Sequence, residues 1–137
     1  MNIDSIKNGF VIDLIKAGKG MEFYRLLKLK KLGCPVAMIM NAQSNKMGKK
    51  DVIKIDADIC LNLEILGYVD PDITVNVIKD SVIVEKKKIA LPEKLTDIIF
   101  CKNPRCITST EQELSHVFTL ADKGRRIYRC IYCDAEA

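Results

Sequence analysis

The sequence predicts an α+β chain in two parts, a sheet-and-helix domain over residues 1–92 and a small all-β domain over residues 93–137. Three observations carry this expectation. Short β-branched apolar runs alternate with helix-like stretches through the first part. The segments "ITVNVIK" and "VIVEKK", joined at Asp80 and Ser81, read as a β-hairpin. Four of the six cysteines crowd into the last 37 positions, as "CKNPRC" and "CIYC".

Taken in order, "GFVIDLI" (Gly9 to Ile15) is β-branched, bounded by glycine and broken by one carboxylate, which predicts a strand. "GMEFYRLLKLKKLG" then places Phe23, Leu26 and Leu27 at helical spacing, with Gly33 where a C-cap belongs, predicting a helix over 20–32. "PVAMIMN" (Pro35 to Asn41) reads as a strand entered from a turn, "AQSNKMGKK" as a loop, and "DVIKID" (Asp51 to Asp56) as a further strand. A short helix over Leu61 to Leu66 and the hairpin complete the first domain. Beyond a boundary near Pro92, strands are expected at Asp97 to Phe100, His116 to Ala121 and Arg125 to Arg129, the outer two feeding the cysteine pairs. Their core would be Ile98, Ile99, Phe100, Val117, Phe118, Leu120, Ile127 and Tyr128.

With 48% hydrophobic and 29% charged residues in 137, the composition is globular. The first twenty residues carry no basic n-region leading into an apolar core, and no run approaches 18 apolar residues, so a cytoplasmic chain without membrane contact is expected. In a reducing compartment paired cysteines are metal ligands or redox groups more often than disulfides. The formal charge of +4 would fall to about +2 once four thiolates hold a divalent ion, far from the basic stripe of a dedicated nucleic-acid binder.

The cysteines follow a C-x4-C, 23-residue, C-x2-C spacing: Cys101, Cys106, Cys130 and Cys133. Two turns brought together by a small sheet can set four thiolates at the corners of a tetrahedron, the closed geometry of a structural zinc ion. Soft sulfur suits zinc or iron, and rubredoxin-like iron is the alternative, although that chemistry usually takes two CxxC pairs. With four cysteines no open position remains for water, so the site folds a domain and does not catalyse. Cys34 and Cys60 read as buried bystander thiols in apolar surroundings, and His116, the single histidine, as a surface or packing residue.

Four polar residues interrupt the apolar strands of the first domain: Asp13, Lys54, Asn76 and Lys86. Alternation groups Asp13 with Val11 and Ile15, Lys54 with Val52, and Asn76 with Thr74 and Ile78. The plain explanation is a solvated sheet face. The sharper one is a ligand site in which Asp13 takes sugar hydroxyls, Asn76 orients, and Lys54 and Lys86 face phosphates. "KAGKG" has neither Walker nor Rossmann spacing.

The order of "NGFVIDLI", "NKMGKKDVIKI", "ITVNVI", "LPEKL" with "IIFC", and C-x4-C before C-x2-C resembles the regulatory chain of aspartate carbamoyltransferase, from about Asn2 to Cys133. The resemblance implies a non-catalytic subunit with a ferredoxin-like, allosteric nucleotide-binding domain at 1–92. A domain with one structural zinc ion at 93–137 would dock on the catalytic chain. It implies regulatory-chain homodimers that link two catalytic trimers into a dodecamer of six catalytic and six regulatory chains, and control of pyrimidine biosynthesis by ATP, CTP and UTP. Carried onto matching positions, the nucleotide site falls on Ile3, Asp4, Ser5, Ile6, Val11, Asp13, Val52, Lys54, Asn76, Ile78 and Lys86. Leu14 stands where the family often has a phosphate-holding histidine, and only Asp134 to Ala137 follow the last cysteine.

The competing expectation is a stand-alone zinc-ribbon protein that binds nucleic acid through Lys102, Arg105, Arg125, Arg126 and Arg129, with Phe118, Tyr128 and Tyr132 as a thin aromatic platform. An enzyme in its own right would need a nucleophile, base and orienter set, which the sequence does not offer.

Overall fold

The computed structural model describes residues 6–137 and divides the chain into two compact units between Ala90 and Leu91. In the first unit the elements run β1 (Gly9–Lys16), α1 (Gly20–Leu26), β2 (Val36–Ser44), β3 (Gly48–Ile55), α2 (Leu63–Val69), β4 (Thr74–Lys79) and β5 (Val82–Lys88). The strands form one antiparallel sheet in the order β2-β3-β1-β4-β5. The first four strands and the two helices are the β-α-β-β-α-β arrangement of a ferredoxin-like fold, to which β5 adds a hairpin edge.

One face of the sheet is the core. Ile12 and Ile15 of β1, Ile53 and Ile55 of β3 and Val75 of β4 pack with Phe23, Leu29, Leu66, Val69 and Ile73, all essentially buried. Burial of this cluster is the main stabilisation of the unit, at roughly 1.5–3 kcal/mol per large apolar side chain. The centre is tight enough that a Cβ at Gly9 would collide with the Ile55 carbonyl oxygen. The β4–β5 hairpin turns at Asp80 and Ser81, with φ of 51° and 65°, as a two-residue turn of matching twist requires.

β1 breaks the expected alternation. Ile12 pairs with Ile53 and Ile15 with Asp51, so Asp13 and Leu14 together oppose the single residue Val52 in a bulge, with Leu14 at φ 59°. Ile15 therefore joins Ile12 on the core face and not Asp13, as strict alternation has it. β2 carries a second bulge across the same part of β3, where Met40 and Asn41 oppose Asp51. Asp51, wholly buried, ties these irregularities together: its Oδ2 accepts the N–H groups of Gly18 (3.1 Å) and Gly20 (3.0 Å), and its Oδ1 that of Asn41 (3.0 Å). A Cβ at Gly20 would lie 2.8 Å from the same carboxylate oxygen, so the approach needs glycine.

Three further expectations are corrected by the structure. The helix over 20–32 ends at Leu26; Lys28 turns left-handed (φ 54°), and Leu29–Lys31 form a 3-10 turn. On an uninterrupted helix Leu29 would sit about 120° around from Phe23, facing away from the core. The break lets it bury to 3% exposure. The loop expected over 42–50 is largely strand, since Ala42 pairs with Lys50, Gln43 with Lys49 and Ser44 with Gly48. Its polar side chains hid a ladder that only main-chain hydrogen bonds reveal. The second helix is displaced to Leu63–Val69 and is capped by Asn62, whose Oδ1 accepts from Glu64 and Ile65 at 3.0 and 3.3 Å.

The second unit is a three-stranded antiparallel sheet of β6 (Lys94–Thr96), β7 (Val117–Asp122) and β8 (Ile127–Cys130), in that order. The strand expected at Asp97–Phe100 is not formed. β6 lies just before it, pairing Leu95 with Phe118, and ends where Asp97 turns to φ 55° and its carboxylate accepts the His116 N–H at 2.8 Å. Leu95, Phe118 and Tyr128 make the centre of this unit, while Phe100, assigned to that core from the sequence, is 61% exposed. Among the described residues no helix is long and apolar enough to cross a membrane.

Candidate metal centre and polar sheet face

The end of β8, the turn after it and the loop after β6 bring Cys101, Cys106, Cys130 and Cys133 together with every sulfur within 4.8 Å of the others. Cys101 and Cys133 sulfurs are 3.6 Å apart and those of Cys106 and Cys130 are 3.7 Å apart. A disulfide needs about 2.05 Å, and all six cysteines are free; Cys34 is half-buried and Cys60 exposed, not buried as expected. Four thiolates about 2.3 Å from a central zinc ion stand about 3.8 Å from one another at tetrahedral angles. The donor set therefore fits one zinc ion, held by all four cysteines, with no open position for chemistry.

The thiols are not equivalent. Burial pushes Cys101 up to about 12, against a main-chain hydrogen bond at Asn103. The Asn103 side chain and then the Ala135 main chain hold Cys133 down to about 6. Hydrogen bonds at Thr108 keep Cys106 below its ordinary value. A bound cation removes these differences by deprotonating every ligand. His116 takes a packing role: its Nδ1 accepts the Cys101 N–H at 3.1 Å and its ring meets Phe100 edge-on at 4.9 Å.

The polar strand residues of the first unit fall on the sheet face opposite the helices. Ladder partners run Ala37–Lys54–Val11–Asn76–Lys86, one rung across all five strands. Three of the four polar interruptions are thus in a single line, and Asp13 stands on the next rung with Thr74 and Lys88. Val52 lies across the β1 bulge from Asp13, and Ile78 pairs with Gly9 on the rung beyond Val11. Lys54 and Val52 are buried at 5% and 7% exposure, and Ile6 is buried. Ile3, Asp4 and Ser5 lie outside the described residues. Among the described residues the buried Asn76 Oδ1 has no hydrogen-bond partner, a condition that costs about 1–3 kcal/mol unless something else supplies a donor.

Lys50 was not singled out from the sequence, yet its Nζ lies 3.0 Å from Asp13 Oδ1. The alternation Lys50, Val52, Lys54 along β3 carried that signal. Nothing in the cysteine spacing pointed to Thr108 or Asn103, which reach the sulfurs only through turn geometry.

The fold and the thiolate cluster define a two-domain α+β metal-binding protein. Residues 1–90 match the family described as aspartate carbamoyltransferase regulatory chain, allosteric domain, and residues 93–137 the corresponding metal binding domain. The chain belongs to the aspartate carbamoyltransferase regulatory chain family. It is 50% identical over 135 residues to the regulatory chain of Clostridium tetani (98% of this chain, 94% of the relative), and 49% identical over 134 residues to that of Clostridium acetobutylicum (98% and 92%). The Bifidobacterium longum regulatory chain is 42% identical over 137 residues, covering 100% of this chain and 99% of the relative. The family is regulatory and allosteric, not catalytic.

Proposed function

We propose that the chain binds nucleotides on the polar face of its five-stranded sheet and transmits their effect to aspartate carbamoyltransferase catalytic chains, on which its zinc domain docks. ATP, CTP and UTP are the effectors, and pyrimidine biosynthesis in the cytoplasm is the process controlled. The observation that carries this reading is the rung Lys54–Val11–Asn76–Lys86, in which the Asn76 acceptor has no partner among the described residues. The orphaned oxygen asks for a donor, which a nucleotide hydroxyl or amino group supplies, and cations flank it for phosphates. Asp13 takes the sugar and Val11, Val52 and Ile78 the apolar surface, with Ile3, Asp4, Ser5 and Ile6 at the entry to the base pocket. Leu14 offers no donor, so phosphate rests on the lysines. Control requires only that the nucleotide bind two states of the assembly with different affinity.

Domain division at 1–92 and 93–137 fits this separation of binding from docking. β2 is an edge of the sheet among the described residues and "VAMIMNAQS" has no charge to block pairing. That supports association of two such domains into the homodimer, and such dimers join catalytic trimers into a dodecamer of six chains of each kind. The experiment is capture of the full chain from its own cells followed by mass spectrometry and calorimetry with CTP and ATP. Catalytic chain in equal proportion and saturable nucleotide binding support the reading; recovery of RNA or DNA instead would sink it.

A further inference from the structure

The two cysteine pairs are closed by different means. Cys130 and Cys133 sit on a tight main-chain turn, in which the Asp134 N–H donates to the Cys130 carbonyl and the Cys130 N–H to the Ala135 carbonyl, both at 2.9 Å. The wider loop from Cys101 to Cys106 has one main-chain hydrogen bond of its own, from the Cys106 N–H to the Asn103 carbonyl at 3.1 Å, and draws on side chains for the rest. Ser109 Oγ donates to the Asn103 carbonyl at 2.8 Å, Asn103 Oδ1 accepts the Arg105 N–H at 3.1 Å, and His116 Nδ1 accepts the Cys101 N–H at 3.1 Å.

Thr108 differs from these because it touches a ligand atom. Its hydroxyl donates to Cys106 Sγ at 3.1 Å, and the two residues are 4% and 2% exposed. Cys106 is extended (φ −70°, ψ 143°) just before the 3-10 turn Ile107–Ser109, which brings the hydroxyl two residues on back over the sulfur. A threonine on such a turn could instead donate to a main-chain carbonyl. Thr110 does so, to Ile107 at 3.1 Å. Thr108, buried where water cannot substitute, has committed its one donor to sulfur.

We propose that Thr108 is a positioning residue of the metal centre: its hydroxyl, donated to the Cys106 sulfur, fixes the direction of that thiolate, draws off part of its charge, and slows release of the ion. A hydrogen bond to an ionised acceptor is roughly twice as strong as a neutral one, so it survives only while the sulfur points at the hydroxyl. Groups that orient a ligand in this way control metal retention as well as the ligands do.

The test uses the full chain loaded with cobalt(II), with Thr108→Val to remove the hydroxyl at constant shape and Thr108→Ser to keep it without the methyl. Release into excess chelator and the energy of the sulfur-to-cobalt charge-transfer band are followed together. Thr108→Val should release the ion about tenfold faster and shift the band to lower energy, because an unbonded thiolate is the better electron donor; Thr108→Ser should match the parent in both. Parent-like release and spectrum in Thr108→Val would overturn the proposal. So would Thr108→Ser behaving like Thr108→Val, since packing of the methyl would then be the cause. If Thr108→Val does not fold, Thr108→Ala replaces it in the same comparison, and equal behaviour of the alanine and serine variants is the overturning result.

Discussion

Asn76 of β4 faces Lys86 of β5 across the ladder, and its buried side-chain oxygen has no hydrogen-bond partner among the described residues. An unpaired buried acceptor weakens the free protein and improves any complex that supplies a donor. Asn76→Leu should therefore leave the thermal midpoint unchanged or raise it while nucleotide affinity falls at least about tenfold. Calorimetric melting and nucleotide titration on the same sample check both halves. A large drop in melting temperature would mean that Asn76 serves the fold.

The lysines on that rung should act on charge. Lys86→Ala, and Lys54→Met to keep the buried stem, each remove a charge-assisted contact of about 1.5–3 kcal/mol, weakening triphosphates about ten- to a hundredfold. Asp13→Ala should weaken nucleosides and triphosphates alike, since its proposed ligand partner is the sugar. Unchanged CTP and ATP isotherms in both lysine variants would return this face to plain solvation.

Leu14 holds φ 59° in the β1 bulge, a conformation that histidine tolerates better than leucine. Leu14→His should keep or raise stability and tighten triphosphate binding by adding a donor beside Asp13. Weaker CTP binding by the folded variant would show that phosphates lie elsewhere.

Zinc affinity should rise with pH. With Cys101 at about 12, that ligand is a thiol at neutral pH and must give up its proton to the solvent as the ion binds. Cys133, at about 6, is already largely ionised at pH 7 and adds a second proton only in acid. The logarithm of apparent affinity should climb by at least one per pH unit from 7 to 9 and more steeply below 6. Competition with a chelator of known pH dependence measures the slope, and a flat profile between 7 and 9 would contradict the assignment.

Chelation should abolish docking on catalytic trimers and spare the first unit. Its core of Ile12, Ile15, Phe23, Ile53, Ile55 and Leu66 stands without a metal, whereas the second unit centres on Leu95, Phe118 and Tyr128 and draws on the order of 10 kcal/mol from zinc. Gel filtration with catalytic trimers and amide exchange of the first unit separate the two effects. An assembly that survives quantitative metal loss would remove the zinc domain from docking.

The strand-forming runs of β1, β4 and β5, the hairpin turn at Asp80–Ser81 and the four sulfur ligands were legible from the residues alone, because each is written in local spacing: period-two apolar runs, a two-residue turn and paired cysteines. Polar residues at Asp13, Lys54, Asn76 and Lys86 were equally visible as interruptions. Tertiary structure alone decided that Lys54, Asn76 and Lys86 share one rung, since register between strands depends on which apolar faces pack together. It also decided the β1 bulge, set by Ile12 and Ile15 both seeking the core; the break at Lys28, set by burial of Leu29; and the choice of β6 over Asp97–Phe100, set by Leu95 against Phe118. In each case local propensity was overruled by packing against core residues distant in the chain, and such partners leave no local trace.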